Sequence, residues 1–328
     1  MHISLRSLAQ ALAAFAAVCF PAAVCAQDYP SRTIRMVLPY PAGAGGTDLV
    51  ARLVAGKTGE YLGQVIVVEN RPGATGIIGT EIVQRAAPDG YTLGFGTPSS
   101  HVLSVLSGKA PYDPIKDFTP IVTLTDSVFA LVVHPAVPAQ NVKELIDYIR
   151  KNPRKIAYGS NGMGGTFHLA TENFRIAAGG NLEIVHVPYK GTAQVMGDMA
   201  SGQIQMAFTS VTGAVPFQKQ DKLRILAVLE DERYAGLPDV PSIIDTLPNY
   251  DKPAGWFIIF GPSGLPQPIV ARLNTEMIKA IRSPEVRAKI EAAGLMIVAG
   301  TPQQSAARLK RTLDSYGNAK KAGFTFSE

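Results

Sequence analysis

Ten residues, Pro39-Tyr40-Pro41-Ala42-Gly43-Ala44-Gly45-Gly46-Thr47-Asp48, lie between an apolar run at 34–38 and a helical pattern, and their composition suits the binding of an anion. At a helix start the first N–H groups have no internal partner and the dipole is positive, so a carboxylate or phosphate gains roughly 0.3–2 kcal/mol there. A second stretch, Gly159-Ser160-Asn161-Gly162-Met163-Gly164-Gly165-Thr166, has the same layout. Glycine lets successive N–H groups point one way and lets the main chain come close to a ligand. Two such loops facing each other across a cleft would hold a small anion from both sides. The candidate ligand-binding residues are therefore Tyr40, Ala42, Gly43, Ala44, Gly45, Gly46, Thr47 and Asp48, with Ser160, Asn161, Gly164, Gly165 and Thr166 opposite them.

Single residues extend this set. Thr47 or Asp48 reads as the cap of the first helix and Thr166 as the cap of the second. His168, just inside the second helix, either donates to an anion or packs and caps the helix. Tyr40 either walls the pocket or packs in the core. Thr97 and Ser99 follow a strand at 91–95, and strand ends in open α/β sheets line the ligand crevice. Gly43-x-Gly45 after a strand, with Glu69 ending the next one, also invites a dinucleotide reading. Its third glycine is missing, however, and Asp48 in that place would repel a pyrophosphate. No Gly-x-Ser-x-Gly elbow is present. His101, His134 and His186 show no shared metal-ligand spacing, so neither enzyme chemistry, a metal nor a cofactor is expected.

The elements that must position these loops begin after a leader. Arg6, an apolar run at 8–20 and Val24-Cys25-Ala26 read as a secretory signal peptide cleaved after Ala26, which implies a periplasmic protein. Both cysteines, Cys19 and Cys25, fall inside it, so the mature chain has no thiol or disulfide chemistry. The formal charge of +5 drops to +4 when Arg6 is removed, a mild basicity that fits steering of a small anion better than binding of nucleic acid. Apolar runs then alternate with helical patterns: strand 34–38, helix 49–62, strand 65–68, helix 79–86 and strand 91–95. The theme restarts at 130–133 and continues to a strand at 223–228. A proline-studded connection follows, then an apolar strand at 256–260 and helices at 268–281, 284–293 and 302–316. This is an α/β pattern with parallel sheets. The first domain comprises 27–130 plus 253–328, and the second 131–252.

Five motifs carry a family resemblance: Val68-Glu69-Asn70-Arg71-Pro72-Gly73-Ala74, Ala87-Pro88-Asp89-Gly90-Tyr91-Thr92-Leu93, Pro111-Tyr112-Asp113-Pro114, Val187-Pro188-Tyr189-Lys190-Gly191 and Leu237-Pro238-Asp239-Val240-Pro241. The chain resembles, nearly end to end, the Bug family of extracytoplasmic solute receptors for tripartite tricarboxylate transporters. The resemblance implies a two-domain periplasmic-binding-protein fold of the Venus-flytrap kind, type II-like, with the ligand cleft between the domains. It also implies a small organic carboxylate as ligand, membrane permease subunits as partners, and hinge closure at the crossing segments near Leu131 and Trp256. A sensor kinase is an alternative partner. In the family, backbone groups and water of the two loops hold one ligand carboxylate. Thr209 stands where many members carry aspartate, which points to a ligand without an amino group, such as a dicarboxylate or an aromatic acid.

Overall fold

The computed structural model describes residues 29–43, 46–189, 192–321 and 323–326. The expected signal peptide, and Ala44 and Gly45 of the first loop, lie outside the described residues. Among the described residues no helix is long and apolar enough to cross a membrane.

The first lobe opens with β1 (Ile34–Leu38), α1 (Gly46–Leu62), β2 (Ile66–Asn70), α2 (Ile77–Gln84) and β3 (Thr92–Gly96). β1 pairs in parallel with both β2 and β3. It is apolar almost throughout because the sheet is covered on both faces. Val50, Val54 and Leu62 of α1 lie on the side packed against Ile34, Met36 and Leu38. Three strands complete the lobe from farther along the chain, β4 (Phe118–Ser127), β10 (Trp256–Pro262) and β11 (Leu295–Ile297), and the sheet order is β11-β4-β10-β3-β1-β2.

The second lobe comprises β5 (Phe129–Val133), α3 (Val142–Lys151), β6 (Ala157–Ser160), α4 (Thr166–Ala177), β7 (Val185–Pro188), α5 (Thr192–Ala200), β8 (Met206–Ser210), α6 (Val211–Gln218) and β9 (Arg224–Val228). Its sheet order is β7-β6-β8-β5-β9. Period-two alternation divides β5 between two cores: Leu131 and Val133 join one, Ala130 and Val132 the other. The start of α3 is written locally, since Asn141 Oδ1 accepts the Glu144 N–H at 2.9 Å while its amide donates to the Glu144 carboxylate.

Neither sheet is purely parallel. β10 runs antiparallel to β3 and β4, and β5 runs antiparallel to β8 and β9. In each lobe the strand by which the chain arrives from the other lobe runs against its neighbours, and in the first lobe β11 also runs antiparallel, to β4. Val128 alone separates β4 from β5, and Phe129 and Ala130 already pair with Ser210 and Thr209 in the second sheet. The return strand pairs Trp256 with Asp126, so the two crossing segments run side by side. Helices α7 (Gln267–Arg282), α8 (Pro284–Ala292) and α9 (Pro302–Lys321) close the first lobe, the last extending beyond the expected end at 316.

Candidate functional site

The first loop leaves β1 through Tyr40, whose hydroxyl lies 2.5 Å from Thr97 Oγ1 and ties the loop to the end of β3. Burial pushes the Tyr40 phenol above its ordinary value, so it stays neutral. Ala42 and Gly43 are exposed, and Gly43 turns the chain with φ of 75°. α1 begins at Gly46, so Thr47 and Asp48 lie within its first turn instead of preceding it as caps. The Asp48 carboxylate accepts from Arg52 Nε at 2.9 Å and from Asn70 Nδ2 at 3.2 Å. Those bonds, with one from the Gly43 N–H, hold it below the usual carboxylate range despite its burial. The Asn70 amide also donates to Tyr40 O at 2.9 Å. Asp48 thus staples the loop shut on its outer side, and Arg52 neutralises its charge.

The second loop is tied as firmly. Ser160, fully buried, exchanges hydrogen bonds with the Gly162 backbone at 3.1 and 3.2 Å. Asn161 Oδ1 accepts the Phe167 N–H at 3.1 Å, the bond an N-cap would make. Gly165, not Thr166, occupies the N-cap position, and Thr166 is the first helical residue of α4. A side chain on Gly165 would meet Asn161 Oδ1 at 2.7 Å, so this Asn-for-cap arrangement requires glycine. Gly162 and Gly164 adopt φ of 108° and 71°. His168 is 8% exposed, and its Nδ1 accepts the Gly164 N–H at 2.9 Å, so that atom faces the loop backbone and not the cleft.

Two of the openings between the lobes are lined by residues of the glycine loops. One, of about 450 Å³, is bounded by Ile77, Ser99 and Leu103 on the first lobe, by the run from Asn161 to Thr166 and Tyr189 on the second, and by Phe326. It gathers Ser99, Asn161, Gly164, Gly165 and Thr166 of the residues expected from sequence. The other, of about 780 Å³, has Gly46 and Thr47 against Ser210, Thr212 and Gly213, with Phe257 and Leu295 beneath. Thr209 is fully buried, and the next residue along the strand, Ser210, faces this opening. Sequence reading missed Ser210, whose hydroxyl accepts the Gly213 N–H at 3.2 Å and caps α6; a serine opening a helix directly after a strand was the available signal. It also missed the helical segments Ser99–Leu103 and Ser104–Leu106, which bring Leu103 to the first opening. Lys109 is the one charged residue lining the first opening, and no charged residue lines the second, among the described residues. Among the described residues neither lining contains Asp or Glu. What the arrangement offers a ligand is main-chain N–H groups, hydroxyls and apolar walls. Among the described residues no group of His, Cys, Asp and Glu is placed to hold a metal ion.

Comparison with known proteins agrees with this architecture. Residues 50–321 match the family described as tripartite tricarboxylate transporter family receptor, TctC. BugT of Bordetella pertussis is 32% identical over 286 residues, covering 87% of each chain. An R. palustris protein solved with adipate is 33% identical with a TM-score of 0.75, and covers 91% of this chain and 99% of its own. MatC from Rhodopseudomonas palustris, solved with bound malate, is 28% identical with a TM-score of 0.71, and covers 88% of this chain and 99% of its own. The two-sheet α/β fold is that of these binding proteins. The chain belongs to the TctC receptor family of tripartite tricarboxylate transporters, the family of the Bug proteins.

Proposed function

We propose that this chain is a periplasmic receptor, exported by a signal peptide ending at Ala26, that captures a small organic carboxylate in the cleft between its lobes, against the second glycine loop, and presents it to a membrane permease. The observation that carries this reading is the opening of about 450 Å³ flanked by the run from Asn161 to Thr166 on one lobe and Ser99 and Leu103 on the other. Its volume suits a small organic acid. A carboxylate that accepts several main-chain N–H bonds needs no full counter-ion, and it is released when the lobes part. Capture then proceeds by hinge closure about the two adjacent crossing segments. The ligand drives closure only by binding the closed state better than the open one.

Among the described residues neither lining holds Asp or Glu to neutralise an ammonium group, which supports a ligand without one. The Asp48 carboxylate does not supply that charge, because Arg52, Asn70 and the Gly43 N–H already use it. Adipate and malate, the acids bound by two relatives, are the first probes to try. In thermal unfolding with linear dicarboxylates, aromatic acids, glutamate and aspartate, one acid class raises the midpoint. Ligand at about 100 times Kd adds roughly 2.7 kcal/mol. A midpoint shift produced only by the amino acids overturns the ligand class, and no shift with any acid overturns the carboxylate reading.

A further inference from the structure

The second glycine loop is held by two imidazoles that sequence reading left aside or placed in the pocket. Gly164 donates its N–H to His168 Nδ1 at 2.9 Å, and Ser160 Oγ lies 2.7 Å from His186 Nε2. The same Ser160 oxygen accepts the Gly162 N–H, so both ends of the loop's tight turn depend on a histidine. The rings of His168 and His186 stack 4.4 Å apart at 12°. Tyr158 covers the outer face of His186 at 4.6 Å, and Phe324, beyond the end of α9, packs on His168 at 4.8 Å. His168 belongs to α4, His186 to β7, Tyr158 to β6 and Phe324 to the C-terminal tail, so four segments meet at this stack.

We propose that His168 is a positioning residue that holds the second glycine loop in its ligand-ready shape only while its imidazole is neutral, so that acid releases the loop. The inference rests on the functional reading above for its consequence, weaker capture of the carboxylate at low pH, and on the loop geometry for the latch itself. A ring nitrogen that accepts an N–H carries no proton; once protonated, His168 Nδ1 becomes a donor facing a donor. Stacked rings 4.4 Å apart also disfavour a charge on both. Desolvation lowers the pKa of His168, and desolvation together with the His168 ring pushes His186 down to about 4. The charged groups around the stack, among the described residues, are Glu172 and Arg175 of α4, with neutral Tyr158 on β6. Glu172 favours the charged form of His186, but Arg175 pairs with it at 2.9 Å and offsets that pull. Phe324 on the tail side has no titratable group.

Hydrogen exchange on the ligand-free full chain tests the latch. The readout is the protection of the peptide covering 160–168, corrected for the pH dependence of intrinsic exchange, between pH 7.5 and pH 4. In the wild type, protection falls at least threefold with acid. His168→Asn keeps an acceptor at the Nδ1 position and cannot become a cation, so its protection is the same at both pH values. His168→Leu removes the acceptor and is poorly protected throughout. The same acid loss in wild type and His168→Asn overturns the proposal, as does wild-type protection in His168→Leu. Should His168→Leu fail to fold, the asparagine comparison decides alone. A parallel run with adipate at pH 7.5 separates the two readings: added protection supports both, whereas no added protection with the pH response intact removes adipate from the functional reading and leaves the latch standing.

Discussion

Two cavities of similar size lie at the junction of the lobes, and they are built from opposite chemistry. Among the described residues the cleft opening of about 450 Å³ has Lys109 as its one charged lining residue, whereas the cavity of about 560 Å³ beside the crossing segments is lined by Asp126, Glu230, Lys252, Arg308 and further charged groups. There Arg308 pairs with Asp126, Lys252 pairs with Glu230, and Lys252 also lies 3.9 Å from Asp126. These residues come from β4, the segment after β9, the segment before β10, and α9, so the network fastens both crossings to the first lobe. Burial pushes the Glu230 carboxyl up, and Lys252 pulls it back toward its charged form. Breaking such a pair strands a buried charge, which suits a junction that must keep its geometry. Main-chain N–H groups stabilise an anion without a fixed counter-ion, which suits a site that must fill and empty.

The sharpest way to break this contrast is to remove one charge from the junction. Lys252→Met leaves Glu230, with its side chain only 9% exposed, without its cation, and urea unfolding is expected to lose roughly 3–5 kcal/mol. A loss under about 1 kcal/mol would show that solvent screens the network. His101 shows what burial does without any compensating charge: it is 2% exposed, stacks on Phe260 at 4.2 Å, and desolvation pushes it down to about 3. Its folded pKa lies below the unfolded value of about 6.5, so the unfolded chain takes up the proton first. The associated stability is fully present above about pH 6.5 and is lost as pH falls toward 3, with roughly 3 kcal/mol gone by pH 4. His101→Phe should lose less stability between pH 7 and 4 than wild type; equal losses would place the acid sensitivity elsewhere.

Smaller effects belong to the cleft. Gly164→Ala forces a side chain into φ of 71° and is expected to weaken the acid that best raises the midpoint by about tenfold, or about 1–2 kcal/mol. Unchanged affinity in calorimetry would show that this turn does not shape the site. Lys109→Ala should change affinity threefold or less, with the residual effect in the association rate and its salt dependence. A loss beyond thirtyfold would mean that the cleft depends on a counter-ion after all and would dissolve the contrast with the junction.

Much of this was written locally in the chain. Apolar runs such as Ile34–Leu38 and Ala157–Ser160, each followed by a glycine turn, marked both loops, and prolines marked the starts of the last helices. β4 was not legible, because Pro120 and Asp126 interrupt its apolar run; Pro120 sits where the register with β10 shifts, and Asp126 belongs to the ion network. The antiparallel direction of β5 and β10 was hidden as well, since it follows from the chain changing lobes and leaves no mark on either strand. At the site, side-chain type suggested His168 and Asp48 as ligand groups. Their partners, Gly164 on one side and Arg52 and Asn70 on the other, lie in contacts that spacing does not reveal. The Ser160 and His186 pair, 26 positions apart, shows the same limit.

The most direct test of the contrast between cleft and junction is a crystal structure of the protein with whichever acid best raises its unfolding midpoint. The account predicts the ligand carboxylate within hydrogen-bond distance of main-chain N–H groups in the run from Asn161 to Thr166, with the ligand body beside Ser99 and Leu103. A carboxylate seated instead against Lys252 and Arg308 in the junction cavity would contradict it.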